Sequence, residues 1–513
     1  MKKYYLHLFF ILLLCMNGKS VSAHDIEVPN ADGVVIYYNY INDGTELTVT
    51  FRGHLALEYR NEYSGAVAIP EEVVYEGRTL RVTCIGWSAF DGCSELTSVV
   101  IPNSVTELQH GSFYDCSGLT SITIPNSVKS IGEEAFDGCY NLISVHVSDI
   151  ETWCRIQFGN PDGNPLYQAH HLYVNGEEIK DLVIPNSVTT IGNYAFAGCS
   201  LTSADISNGV TSIGEGAFYG CTVLTTVNMA NSVKTIGPKA FESCCGLIAV
   251  VIPNSLTIID ERTFYGCKGL TTVDLANGVT IIENYAFSGC TSLTSVIIPN
   301  GVTKIGGYSF GGCFALSSVT LGNSVTTIGV GAFDGCMNLT SIDIPSSMTT
   351  IGRNAFQNCG LISINIPNSV TTIGYSAFSC CNLTSIVIPN SVTSIGYNAF
   401  EYCKNLTNVY CYAEQVPNAK SAFSYSNYTN ATLHIPAASI EDYKNAEQWK
   451  DFGNIVALTD DDPKPTGIEV STAKQLPTII ERYTIDGKRI TTPQRGLNIV
   501  KMSDGTTKKI IVK

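Results

Sequence analysis

The sequence predicts a solenoid: a chain of stacked repeats with a parallel β-sheet on one face, a β-rich N-terminal cap and a small C-terminal β-domain. Its main support is a motif, phenylalanine (after alanine in most copies) followed three residues later by cysteine, that returns every 22 or 23 residues with one gap of 60. A fixed period of this length is the signature of stacked repeats. The motif places phenylalanine at Phe90, Phe113, Phe136, Phe196, Phe218, Phe241, Phe264, Phe287, Phe310, Phe333, Phe356, Phe378 and Phe400.

The first residues have the pattern of a secretory signal peptide. Lys2 and Lys3 precede an apolar run over residues 4–16, and small residues end at Ala23. This order of charge, apolar run and small residues predicts a signal peptide over residues 1–23 and a secreted or outer-cell-surface protein, with membrane association only through export anchoring. Leu14-Cys15 also allows a lipoprotein site, which the bulky leucine fits poorly.

Residues 24–82 are expected to form a β-rich N-terminal cap. Segments such as Leu47-Thr-Val-Thr-Phe51 alternate apolar and polar residues, as a strand with one buried face does. A solenoid needs such a cap because its terminal turn would otherwise expose a sheet edge and an apolar face.

The repeats are predicted over residues 83–147 and 183–411. Each contains a strand motif such as Leu119-Thr-Ser-Ile-Thr-Ile124, followed by Pro-Asn-Ser-Val for a bend. The Ile-Gly and Ala-Phe segments then supply a second apolar set on the opposite wall. Each strand is expected to pair in parallel with its copies in neighbouring turns.

An insertion of a helix and a hairpin is predicted over residues 148–182. Ile150, Trp153 and Cys154 lie on one face of a short helix, with Ser148 and Glu151 as its capping box. Asn175-Gly176 predicts a two-residue hairpin turn.

The C-terminal part divides into three predicted segments. Residues 412–458 form a repeat cap with a helix, in which Leu433-His-Ile435 is the last strand. Residues 459–467, with three aspartates and two prolines, read as a solvated linker. Residues 468–513 contain strand-like runs and are expected to form the small β-domain.

The repeat motif, as in Ile184-Pro-Asn-Ser-Val188 with Phe196 and Cys199, resembles the leucine-rich repeats of BspA-like bacterial surface proteins over about Thr83 to Val456. The resemblance implies a leucine-rich repeat solenoid, with adhesion to host matrix proteins or other cells. Similar insertions occur in that family. Residues 468–513 resemble the C-terminal sorting domains of the Bacteroidetes type IX secretion system, with a small β-domain lacking an export role as the alternative.

The cysteines are interpreted as part of the core. Thirteen follow the repeat, and a straight file of one thiol per turn neither converges on a metal nor brings Cβ atoms within disulfide range. Free cysteine behaves as a small buried apolar residue. The better disulfide or redox candidates are the neighbours Cys244-Cys245 and Cys380-Cys381 and the off-column Cys84, Cys154 and Cys411. No metal or other cofactor is predicted.

Net charge and sequence motifs limit the classes of function that the sequence supports. A net charge of -15 argues against a nucleic-acid partner. His170-His171 is the one histidine pair and has no metalloprotease or triad spacing around it, so no catalytic residue is assigned. An enzyme with its site in the insertion or the N-terminal segment is the third hypothesis, after two binding functions.

The candidate binding surface is the solvent-facing side of the strands, expected to be the concave face. It carries hydroxyl and acidic or amide groups without lysine or arginine, which suits an extracellular protein or glycan ligand held by many weak contacts. The residues singled out are Ser203, Asp205, Asn228, Asp274, Thr320, Asp343, Asn365 and Tyr410, with outer-edge aromatics at Tyr194, Tyr285, Tyr308, Tyr375 and Tyr397. The sequence favours an adhesin, and the alternative is a glycan-capture or scaffolding module of a bacterial surface nutrient system.

Overall fold

Each repeat folds as one turn of a parallel coil. In the turn that begins at Ala286, strand residues Ser295–Ile297 are followed by a bend closed by the Val302 amide on the Pro299 carbonyl (3.1 Å). A two-residue strand, Lys304–Ile305, forms the opposite wall. The apolar side chains of both walls meet in one core, where each is at most 2% exposed: Ala286, Phe287, Cys290, Leu293, Val296, Ile298, Val302 and Ile305.

The computed structural model describes residues 24–53, 61–466, 479–484, 488–490, 496–502 and 507–512. The chain divides into two compact units, residues 1–203 with 209–224 and residues 204–208 with 225–513. Both units contain stacked repeat turns with parallel strands, so the predicted solenoid is confirmed. The predicted signal peptide lies outside the described residues.

The first unit and its boundary contain these elements: β1 Ile26–Pro29, β2 Val35–Ile41, β3 Glu46–Thr50, β4 Gly65–Ala68, β5 Glu72–Tyr75, β6 Arg78–Ile85, β7 Leu96–Val100, β8 Glu107–Leu108, β9 Ser121–Thr123, β10 Ser130–Ile131, β11 Ser144–Val147, α1 Ile150–Arg155, β12 Gln157–Phe158, α2 Leu166–Ala169, β13 Leu172–Val174, β14 Glu177–Glu178, β15 Asp181–Val183, β16 Thr190–Ile191, β17 Ser203–Ile206 and β18 Ser212–Ile213. Short 3-10 turns lie at Asn42–Gly44 and Pro161–Gly163.

Two walls of strands make up the first unit. Strand β6 and the two-residue strands β8, β10 and β12 pair in parallel on one wall, and β9, β11 and β13 pair in parallel on the other. The N-terminal strands β1, β2 and β3 are antiparallel, and β3 joins β6 in parallel. Tyr63, fully buried, contacts Phe90 with ring centroids 4.6 Å apart, which extends the aromatic core toward the N-terminus.

The helix of the insertion begins one residue later than the predicted capping box. The N-cap of α1 is Asp149, whose carboxylate accepts the Thr152 amide (2.6 Å). The Ser148 hydroxyl donates instead to Asn126 (2.7 Å). The buried Trp153 indole N–H donates to the Ala195 carbonyl (2.7 Å), which fixes α1 to the next repeat turn. Strands β13 and β14 form the hairpin expected at Asn175-Gly176.

The second unit contains these elements: β19 Thr226–Met229, β20 Thr235–Ile236, β21 Ala249–Val251, β22 Ile258–Ile259, β23 Thr272–Asp274, β24 Ile281–Ile282, β25 Ser295–Ile297, β26 Lys304–Ile305, β27 Ser318–Thr320, β28 Thr327–Ile328, β29 Thr350–Ile351, β30 Ser363–Asn365, β31 Thr372–Ile373, β32 Ser385–Ile388, β33 Ser394–Ile395, β34 Asn408–Cys411, β35 Thr432–Ile435, α3 Ile440–Asn445, β36 Asn454–Ala457, β37 Ile479–Thr484, β38 Arg489–Ile490, β39 Gly496–Met502 and β40 Thr507–Val512. Its 3-10 turns are Asn427–Asn430, Ala437–Ser439 and Trp449–Asp451.

Long strands form one wall of this unit and short strands the other. Strands β19, β21, β23, β25 and β27 lie in order in one parallel sheet, and β30, β32, β34, β35 and β36 in another. The short strands form a β22-β24-β26-β28 group and a β29-β31-β33 group. Strands β37 to β40 form an antiparallel sheet in the order β38-β37-β39-β40.

The solenoid of the second unit continues beyond the last predicted repeat. Phe423 stacks on Phe400 with ring centroids 5.2 Å apart, in a turn that has Ser426 where the others have cysteine. Strand β36 pairs in parallel with β35, so the prediction that Leu433-His-Ile435 is the last strand is wrong. Trp449 packs edge-on against Phe423 at 5.8 Å, and its indole N–H donates to the Pro417 carbonyl (2.9 Å).

Phenylalanine and cysteine form two parallel columns in the core. Neighbouring rings stack, as for Phe264 with Phe287 and Phe287 with Phe310, both at 5.3 Å. Each thiol that follows donates to the carbonyl of the preceding turn's phenylalanine, at sulfur–oxygen distances of 3.0 to 3.5 Å: Cys116 to Phe90, Cys139 to Phe113, Cys221 to Phe196, Cys267 to Phe241, Cys290 to Phe264, Cys313 to Phe287, Cys336 to Phe310, Cys359 to Phe333, Cys381 to Phe356 and Cys403 to Phe378. The column therefore links the turns by hydrogen bonds.

All 18 cysteines within the described ranges are free thiols. Those of the column are buried, and burial raises the pKa of Cys199 and of Cys313 to about 12. The thiols proposed as disulfide or redox candidates are also free, including both members of the Cys244-Cys245 and Cys380-Cys381 pairs.

Candidate functional site

In each long strand of the second unit, one outward position directly follows the middle apolar residue. We call the row of these positions the strand face. Its members share a register, as shown by the partners Val251 and Asp274 and by Ile297 and Thr320. The position is open to solvent in most turns, and Val251 is 56% exposed. Asp205, Asn228, Asp274 and Thr320 are exposed at this position, as predicted.

Asp343 departs from the prediction. No strand is assigned over residues 341–345, which separates the sheet that ends at β27 from the sheet that begins at β30. The alternation survives, because Ile342 and Ile344 are buried while Asp343 is exposed. Asp343 thus reaches solvent from an irregular segment rather than from a strand, where the sequence placed it.

Ser203 lies in the first unit and already has a partner. Its hydroxyl donates to the Asp181 carboxylate (2.5 Å), and the Thr202 hydroxyl donates to the same oxygen (2.8 Å). These two hydrogen bonds, that from Ser203 first, lower the pKa of Asp181. Ser203 therefore helps to present an acidic group on its own sheet.

The last turns of the strand face are covered. Asn365, Val387, Tyr410 and His434 are partners in register across β30, β32, β34 and β35. Val387 is only 5% exposed, although valine at the same position of β21 is largely open. Residues 462–466 contact Asn365, His434 and Tyr412, although six of the eight residues from 459 to 466 are exposed, so the predicted linker is largely solvated but also held against the sheet.

His434 is a site residue that sequence reasoning missed. Its ring stacks on Tyr410 with centroids 4.4 Å apart, and its Nδ1 lies 3.7 Å from the Asp462 carboxylate. The signal was present in Leu433-His-Ile435, because apolar residues on both sides place His434 at the outward position. Proximity to Asp462 contributes, after burial, to raising the pKa of Tyr410.

The predicted edge tyrosines divide into exposed and packed side chains. Tyr375 and Tyr397 are 42% and 52% exposed and stack with centroids 6.0 Å apart. Tyr194 and Tyr308 are half-buried, and each ring lies against a glycine of the following turn. Tyr285 stacks on Tyr308 at 5.5 Å. Of these five tyrosines, Tyr375 and Tyr397 are the exposed ones, and the Arg353 guanidinium lies 4.9 Å from the centroid of the Tyr375 ring.

The packed rings explain two of the glycines. A Cβ at Gly216 would lie 2.3 Å from the Tyr194 ring, and one at Gly331 would lie 2.4 Å from the Tyr308 ring. Both glycines also have a positive φ, which other residues adopt at a cost. Tyr194 and Tyr308 therefore cover neighbouring turns as part of the fold.

The histidine pair of the insertion is held by structural contacts. The His170 ring nitrogen Nδ1 lies 2.8 Å from the Gly198 carbonyl oxygen, and His171 Nδ1 lies 2.7 Å from a Glu178 carboxylate oxygen. A cleft of about 690 Å³ in the first unit, lined in part by Cys154, Gln157 and Asn193, contains neither histidine. Within the described ranges, no group of three or more potential metal ligands was found.

No helix among the described residues is long and apolar enough to cross a bilayer.

Comparisons with known proteins agree with this architecture. The model of the BspA type leucine rich repeat region matches residues 79–159, 170–294, 258–381 and 326–448. A leucine-rich repeat protein from Bacteroides ovatus is 27% identical, with a TM-score of 0.53 over 83% of this chain and 98% of that one. A leucine rich cell surface protein from Faecalibacterium prausnitzii is 26% identical, with a TM-score of 0.46 over 75% of this chain and 94% of that one. No curated protein matches the chain.

Proposed function

The chain belongs to the BspA-type leucine-rich repeat family, and from this premise we propose that it is a non-enzymatic binding protein, an adhesin that engages host matrix proteins or other cells through its strand face. One observation carries the proposal. Asp205, Asn228, Asp274 and Thr320 present exposed acidic, amide and hydroxyl groups along one side of the second unit. A row of this kind suits a large ligand held by many weak contacts.

Charge indicates the kind of ligand. The chain carries a net charge of -15, and the strand-face positions that the structure describes include no lysine or arginine. Such a surface favours a protein partner with basic groups and disfavours sulfated or otherwise anionic glycans. Binding of this type weakens as salt screens the exposed charges.

The proposal includes export. The signal peptide expected over residues 1–23 and the resemblance of residues 468–513 to a type IX sorting domain support secretion or display on the outer cell surface. Cleavage near His24 and loss of surface display on deletion of residues 468–513 are the expected results. Display that persists after the deletion would favour a C-terminal β-domain without an export role.

A glycan-capture or scaffolding function is the second candidate. The stacked, exposed pair Tyr375 and Tyr397 supports it, because exposed aromatic side chains offer rigid contact area for a neutral ligand. This pair lies in the loops before the Ala-Phe motif rather than on the strands, so variants can separate the two candidates.

The test is binding of the full chain to an immobilised panel of extracellular-matrix proteins and to a polysaccharide array. We expect matrix binding, reduced about tenfold in an Asp205→Lys, Asp274→Lys double variant, since exposed charge pairs contribute up to about 1 kcal/mol each. The matched control is Tyr375→Ala with Tyr397→Ala, which should leave matrix binding unchanged. Polysaccharide binding lost only in the tyrosine variant would favour the second candidate, and binding to neither class would overturn both.

A further inference from the structure

The segment after the last repeat turns back onto the strand face. A turn over Thr459 to Asp462 reverses the chain, with the Thr459 amide donating to the Asp462 carboxylate (2.7 Å). Asp462 faces His434 at 3.7 Å, and both side chains are largely buried, at 12% and 17% exposure. The chain then crosses the strands in the direction of β30.

Most of the described polar contacts in this crossing are to the backbone of the segment. Asn365 makes two of them: its Nδ2 donates to the Lys464 carbonyl (3.0 Å), and its Oδ1 accepts the Thr466 amide (3.2 Å). The Asn368 amide donates to the Thr466 carbonyl (3.0 Å), and the Tyr412 hydroxyl donates to the Pro463 carbonyl (3.2 Å). A side-chain amide that pairs with backbone groups two residues apart recognises an extended chain rather than a particular sequence.

Two prolines keep the segment extended. Pro463 and Pro465 flank Lys464, and each proline disfavours the helical conformation of the residue before it. Proline lacks an N–H, and the face uses no N–H at these two positions: it contacts the carbonyls of Pro463 and Lys464 and the amide of Thr466. Pre-extended, proline-rich segments bind with a small loss of conformational entropy.

We propose that the strand face around Asn365, Tyr410 and His434 is a docking site for an extended, proline-containing polypeptide segment with an acidic residue, and that residues 459–466 occupy it in the isolated chain. The inference rests on the proposed binding function and names a partner class for one part of that surface. Val387, which lies between Asn365 and Tyr410 in register, is 5% exposed, against 56% for Val251 in an uncovered turn.

The covalent connection of residues 459–466 to the last repeat determines how tightly a separate partner must bind to displace them. A short flexible connection holds its segment at an effective concentration on the order of millimolar. If residues 459–466 occupy the site most of the time in the intact chain, the same segment as a free peptide must bind with a Kd below about 1 mM. The open site should be detectable with a synthetic peptide.

The experiment uses the full chain with residues 460–466 replaced by glycine and serine at equal length. Its probe is a fluorescein-labelled peptide of residues 459–466, followed by fluorescence anisotropy. We expect saturable binding to the replaced-linker variant, at least about tenfold tighter than to the native chain because the native site is filled. Asn365→Ala in the replaced-linker variant should weaken peptide binding about tenfold, whereas Asn228→Ala, an amide at the same position of an uncovered strand, should not.

Equal peptide binding by the native chain and the variant, or no effect of Asn365→Ala, would overturn the proposal. Hydrogen exchange on the native chain gives an independent result if a variant folds poorly: the Thr466 amide should be protected, and Asn365→Ala should abolish that protection. The matrix panel, repeated with the same variants, separates the two proposals. Matrix binding without peptide binding defeats only this inference, and peptide binding without matrix binding defeats only the proposed adhesin function.

Discussion

Cysteine in this repeat is a hydrogen-bond donor as well as a small apolar group. A thiol is a weak donor, and in ten turns it meets the phenylalanine carbonyl of the turn before, as Cys381 does with Phe356 at 3.1 Å. That carbonyl also accepts the amide of the cysteine in its own turn, as Phe356 does from Cys359 (3.3 Å), so the thiol supplies a second hydrogen bond, worth about 0.5–1.5 kcal/mol. The sequence predicted the burial from spacing alone but did not reveal the acceptor, which lies about one turn away along the chain.

Neighbouring thiols should differ sharply in reactivity. Cys380 is exposed, whereas Cys381 is buried with its pKa raised well above the ordinary value, first by burial and then by the neighbouring Cys359. The thiolate is the reactive form, so the raised pKa of Cys381 lowers the fraction of this thiol that can react at pH 8. We expect iodoacetamide at pH 8 to label Cys380 and to leave Cys381 unlabelled until the chain is unfolded.

Peptide mapping by mass spectrometry gives the outcome for each thiol. Since the pKa of Cys313 and of Cys403 is about 12, raising the pH from 7 to 9 should not expose either to labelling in the folded chain. Rapid modification of column thiols under these conditions would contradict their place in the core.

At the scale of one repeat turn, the hydrogen bond from the cysteine thiol to the phenylalanine carbonyl predicts different stabilities for alanine and serine variants. Cys290→Ala removes the thiol donor to the Phe264 carbonyl (3.3 Å), which keeps its bond from the Cys267 amide (3.3 Å), and should lower the free energy of unfolding by about 0.5–1.5 kcal/mol. Cys290→Ser should cost less, because the Ser426 hydroxyl makes the same bond to Phe400 in the turn that lacks cysteine. Urea denaturation measures both, and an alanine variant as stable as the serine variant would argue that the column serves apolar packing alone.

Local composition predicted most repeat turns and failed at the ends of the array. The turn at Phe423 was missed because Ser426 replaces the cysteine used to define the repeat, while its Ala422-Phe423 pair was visible. The segment over residues 459–466 was expected to be solvated because it is charged and rich in proline. Its contacts with Asn365 and Asn368 are about 100 residues away in the chain, and a long-range backbone contact leaves no periodic pattern to detect.

At the scale of the whole molecule, the sequence predicts which side chains face outward from the strands better than it predicts which of them are open to solvent. Alternation correctly placed Asp205, Asn228, Asp274 and Thr320 in solvent. It could not show that Asn365 and Tyr410 lie under another segment or that Tyr194 and Tyr308 pack on glycines. The strand face is therefore open over part of its length and covered near its C-terminal strands.

Carboxyl footprinting tests most directly whether the strand face binds the ligand. The full chain, free and bound to the matrix protein that it binds most strongly, is treated with a carbodiimide and glycine ethyl ester and mapped by mass spectrometry. The exposed carboxylates of Asp205 and Asp274 should lose modification on binding, while that of Glu261, exposed in a loop before the Ala-Phe position, should keep it. Unchanged modification of Asp205 and Asp274 with protection at Glu261 would contradict the account and place the binding surface on the loops.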